Sequence, residues 1–68
     1  MNIAKNFRMN LRAALIARGM TQRDLARASG VHEVTISKII NGREQPSLEI
    51  CEKLAKAAGI KLPKIFSE

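Results

Sequence analysis

Apolar residues recur along this chain at helical spacing, and nowhere alternate with period two for long enough to make a strand. Phe7, Leu11 and Leu15 stand four apart with Ala14 beside them, which predicts a helix from near Asn2 or Asn6 to Arg18. Gly19 supplies its terminator, and Met20 can fold back on the last turn. Met20 also precedes Thr21 and stands five before Leu25, the spacing of a hydrophobic staple. Thr21 with Asp24 reads as a capping box, so a second helix runs from Gln22 to about Ser29 with Leu25 and Ala26 inward. Gly30 ends it, because the chain needs a left-handed backbone there that glycine adopts at little cost.

Ile36, Ile39 and Ile40 mark the buried stripe of a third helix, roughly His32 to Asn41, which stops at Asn41-Gly42. Pro46 precedes Ser47, a good N-cap, and Glu49 lies in the first turn where the helix dipole favours an acid. A fourth helix follows, its buried face predicted as Leu48, Cys51, Leu54, Ala55 and Ala58, with Gly59 as terminator. Ile60 to Leu62 is a connector, and Pro63 at a first helical position suggests one last turn through Phe66. The expected fold is all-α, one domain over 1–68 with five helices and no linker, repeat or low-complexity tract.

The second and third helices are joined by a tight turn, and the third has a polar outer face suited to a DNA groove. On a wheel of 100° per residue the three isoleucines share one side, and Val34, Ser37, Lys38 and Asn41 cluster on the other. Glu33 lies at the margin in the first turn, where such a helix meets base edges. Glu33 can accept from a cytosine amine, Val34 can pack on a thymine methyl, and Lys38 can donate to guanine O6 or N7. Gln22 stands at the first turn of the second helix, where free amides and the positive dipole end suit a phosphate. Asn41 and Arg43 are placed for the other strand, with Arg12, Arg23 and Arg27 as secondary phosphate candidates.

Charge supports this picture. Twelve Lys and Arg against six Asp and Glu give +6, and the first 32 residues hold six cations and one acid, Asp24. Such asymmetry attracts polyanions. Sixty-eight residues make one small core with no room for a sizeable substrate pocket, and no catalytic constellation, Gly-rich phosphate loop or metal-binding spacing is present, so neither an enzyme nor a cofactor or small-molecule ligand is expected. Cys51 alone excludes an internal disulfide, and its place on an apolar face reads as a small buried hydrophobe. No apolar run approaches the ~18 residues of a membrane span and no signal peptide is evident, so the expected location is cytoplasmic, with the nucleoid.

These motifs, TQRDLARASGV followed after four residues by ISKIING and then by PSLEICEKLAKAAGI, resemble the XRE family of helix-turn-helix proteins, which includes lambdoid phage repressors and Cro proteins. The resemblance runs from about Asn6 to Ile60. It implies a compact five-helix, lambda-repressor-like domain with the third helix in the major groove, usually as a two-fold dimer on a palindrome. It also implies phosphate contacts at Gln22 and Asn41 and base-facing positions at His32, Glu33, Val34 and Lys38. Two departures stand out: His32 sits where the family often has a Ser or Thr cap, so it is expected to touch phosphate instead. Glu33 puts an acid on the DNA face, where it should act mainly by rejecting wrong bases.

The apolar residues of the C-terminal stretch, with Ile60, Leu62, Pro63 and Phe66 as the contact, are expected to form a homodimer interface that sets two recognition helices about 34 Å apart; simply capping the core is the competing role. The function expected is a prokaryotic or phage transcriptional regulator, a repressor first, on a pseudo-palindromic operator of duplex DNA. It would act by occluding RNA polymerase, or activate by touching it. The alternatives are an antitoxin that neutralises a toxin partner and autoregulates its operon, a restriction-system controller, and the excised DNA-binding domain of a longer repressor. Its start at Met1 and its length suit a complete protein.

Overall fold

The computed structural model describes residues 3–67, which form five helices and no strand. They are α1 (Ile3–Arg18), α2 (Gln22–Ser29), α3 (Glu33–Ile40), α4 (Leu48–Ala58) and α5 (Leu62–Ile65). The part of the first helix expected at Asn2 lies outside the described residues. The start signals of α2 and α4 act as read, whereas α5 begins at Leu62, one residue before the Pro63 expected to open it. The Thr21 hydroxyl accepts from the Asp24 amide at 3.0 Å while the Asp24 carboxylate accepts from the Thr21 amide at 2.9 Å. Hydrogen bonding to Thr21, first through its backbone amide and second through its side chain, holds the Asp24 carboxyl below its usual range. The box is therefore intact at neutral pH and weakens as acidification protonates that carboxylate. Ser47 caps α4 by accepting from the Ile50 amide at 3.2 Å.

One core joins all five helices: Phe7, Leu11 and Leu15 from α1, Leu25 from α2, the three isoleucines of α3, Cys51, Leu54, Ala55 and Ala58 from α4, and Ile65 from α5. Leu15 and Ile40 line the same crevice where α1 packs on α3. Two core members went unassigned in the sequence. Val31 lies in the turn between α2 and α3, buried, with its amide on the Ser29 hydroxyl at 3.1 Å. Ile65 is fully buried under a helix of four residues.

Leu48 is a correction: expected inward, it is 63% exposed. The buried arc of α4 centres on Leu54 and includes half-buried Ile50. Leu48, six positions before Leu54, falls about 120° round the helix from that centre. The C-terminal turn is pinned in a way that no local pattern announces. The Asn10 side-chain amide donates to the carbonyls of Ile65 at 2.7 Å and Ser67 at 2.6 Å, satisfying groups that the short helix leaves open.

Candidate nucleic-acid interface

Helix α3 is oriented by its ends and by its buried side. Ile36 and Ile39 are fully buried and Ile40 nearly so, which fixes the helix's rotation about its axis. That rotation turns Glu33, Val34 and Lys38 outward. Val34 is 55% exposed, an apolar group held in solvent among polar neighbours. Ser37 is half-buried and Asn41 exposed, and their side chains approach at 3.4 Å.

His32 takes the cap that sequence reasoning denied it. Its Nδ1 accepts from the Val34 amide at 3.1 Å, so helix α3 begins at Glu33 and His32 stands just before it. A neutral imidazole carries one unprotonated ring nitrogen, and that lone pair does the work of a hydroxyl oxygen here. At the other end Asn41 closes the helix. Gly42 then adopts φ +75° and donates to the Ile39 carbonyl at 3.1 Å, while the Arg43 amide donates to Lys38 at 2.8 Å. This paired closure fixes the path of Arg43 as it leaves the helix.

The expected phosphate contacts gather at one place and one pairing. Gln22, Asn41 and Arg12 line a single open crevice between α1, the start of α2 and the end of α3, together with Leu15, Ile16, Met20 and Ile40. Residues 19, 10 and 29 positions apart in sequence are thus brought to one rim, which suits a single stretch of phosphate backbone. Arg23 lies elsewhere: its Nε is 3.7 Å from Glu33 Oε1, and both side chains are largely in solvent. The acid on the outer face of α3 therefore has a cationic neighbour. Arg27 is exposed and does not line the crevice.

Arg8 was not singled out in the sequence. Its guanidinium lies against the α3–α4 turn, where a Cβ on Gly42 would meet it at 3.3 Å. The signal was available only as a cation on a helix face; that the face meets Gly42 is a tertiary fact. The C-terminal residues expected at a dimer contact are mostly committed inward. Ile60, Leu62 and Phe66 pack against the core, and the Phe66 ring lies 5.9 Å from that of Phe7. Pro63 remains exposed beside them.

Among the described residues no cluster of His, Cys, Asp and Glu could hold a metal ion, and no helix is long and apolar enough to cross a membrane. Cys51 is buried, and burial raises its thiol's pKa, which disfavours the reactive thiolate.

The helix-turn-helix family model matches residues 11–65, from the second half of α1 to the end of α5. The chain belongs to the XRE-type helix-turn-helix family. An uncharacterized HTH-type transcriptional regulator of Methanocaldococcus jannaschii is 45% identical over 47 residues, covering 69% of this chain and 71% of that protein. Among solved structures, the restriction-modification controller protein C.AhdI from Aeromonas hydrophila superposes with a TM-score of 0.83 at 31% identity, covering 90% of this chain and 92% of that one. The XRE-type module is a DNA-binding transcription regulator in kind.

Proposed function

We propose that this chain is a homodimeric regulator that binds a pseudo-palindromic operator and, by occupying it, keeps polymerase off. The observation that carries this reading is the outward row of Glu33, Val34 and Lys38 on a helix whose rotation is fixed by three buried isoleucines, beside the Gln22–Asn41–Arg12 rim. The row suits base edges and the rim suits phosphate, the division of labour that specific binding needs. His32 and Ser37 stand at the margins of the reading row, and Arg23 and Arg43 extend the phosphate set. The likeness to C.AhdI favours one form of this function, a controller of a restriction-modification system.

Selection from a random duplex library at about 150 mM salt tests it, because nonspecific phosphate binding is largely suppressed there. An enriched two-fold motif with half-sites about one turn apart is expected. No enrichment would move the reading to a protein-interaction module such as an antitoxin. On the selected site, Lys38→Ala should cost roughly 1–3 kcal/mol and relax preference at one position. Gln22→Ala should weaken all sequences alike; competition binding against single-base variants separates the two patterns.

The proposed dimer joins the edges of Ile60, Leu62, Pro63 and Phe66. Phe66→Glu would disturb the Phe7 contact as well as a dimer, so exposed Pro63 is the cleaner probe. Pro63→Glu should shift sedimentation towards monomer and weaken operator binding, with little change in the thermal melt of dilute protein. Unchanged sedimentation would place the dimer contact elsewhere.

A further inference from the structure

Resting on the operator-binding reading, we propose that Arg23 governs how strictly Glu33 selects its base, by neutralising and positioning the Glu33 carboxylate at the reading face. Two features of the pair lead there. Arg23 sits in the first turn of α2 and Glu33 in the first turn of α3, so the contact spans the two halves of the motif. It is made by Nε at 3.7 Å, with side chains 70% and 47% exposed, so it is a loose ion pair rather than a buried lock. Arg23 makes no side-chain hydrogen bond with another described residue, and the guanidinium's terminal nitrogens remain available for a phosphate while Nε faces Glu33.

An uncompensated carboxylate in a DNA groove is repelled by the phosphates whatever base lies beneath it. It is tolerated where an amine, such as cytosine N4, donates to it. A guanidinium beside it supplies part of that compensation for every base. Arg23 therefore has two effects: it lowers the cost of Glu33 on all sites, and it blunts Glu33's discrimination between sites. Removing Arg23 should weaken binding overall and sharpen selectivity at one position only.

The test is a double-mutant cycle read across operator variants, using full-length protein and the operator obtained by selection. The position whose preference changes in Glu33→Gln is the one Glu33 reads. At that position Arg23→Gln should raise the ratio of affinities for the preferred over the other bases by roughly tenfold, at unchanged selectivity elsewhere. In the Glu33→Gln background the same substitution should lower affinity uniformly and leave the ratio flat. Both side chains are exposed, so the melts of all variants should match, and selectivity ratios do not depend on the fraction folded. A base-independent loss from Arg23→Gln in both backgrounds, or no loss in either, overturns this inference alone. Failure of the selection to return any motif overturns it together with the operator-binding reading.

Discussion

Leu54→Ala is expected to leave the chain largely unfolded at 25 °C, although residue 54 lies on α4 and takes no part in the proposed reading face. Leu54 is fully buried in the one core that joins all five helices. Truncating such a leucine costs about 2–5 kcal/mol, from lost transfer energy and from the cavity left behind. A core in a chain below roughly 70–80 residues rarely supplies more than about 3–5 kcal/mol, so the loss is of the same size as the whole stability. Far-UV circular dichroism during heating should show a broad, low transition or none. A shift smaller than about 8 °C would contradict the argument, since 1 kcal/mol moves the midpoint of so small a domain by about 4–8 °C. Operator binding should fall with the folded fraction. The control is Ile16→Ala: Ile16 is apolar too but 78% exposed, and its loss should be within about 0.5 kcal/mol.

Operator affinity is expected to fall about a thousandfold between 50 and 200 mM salt. The proposed phosphate set includes three cations per chain, Arg12, Arg23 and Arg43, hence six in a dimer. Each neutralised phosphate releases counterions worth about −0.9 in the slope of log K against log salt, giving a slope near −5. Gln22 and Asn41 are neutral, so replacing either should lower affinity without changing the slope. Arg43→Ala should make the slope shallower by about 2 in a dimer, one unit for each copy. Fluorescence anisotropy across the salt range measures all of these. A wild-type slope shallower than about −2 would mean that the arginines do not face the backbone.

The fold was legible in the sequence to an unusual depth because most of its signals are local. Thr21 with Asp24, Ser47, and the glycines at 30 and 42 act within four residues of themselves, through bonds that any context would permit. The outward row of α3 follows from the isoleucine stripe, since a helix with one buried side presents the opposite one. Two readings went astray, one at a packing partner and one at a local cap. Leu48 fits an apolar pattern, but the packing partners of α4 centre the buried arc elsewhere. His32 looked like a weak cap by residue type, yet its ring nitrogen reaches the Val34 amide.

What the sequence determined by itself, then, is the number and type of the helices, where α2 and α4 begin and stop, and which side of α3 is buried, because these depend on periodicity and on hydrogen bonds between near neighbours. The tertiary structure alone decided which distant residues share a surface. It drew Gln22, Asn41 and Arg12 to one rim, set Arg23 beside Glu33, laid Arg8 over Gly42 and fastened the last turn with Asn10. Those juxtapositions depend on how the helices cross, and the crossing is fixed by the collective fit of one core, to which every helix contributes and which no single segment encodes.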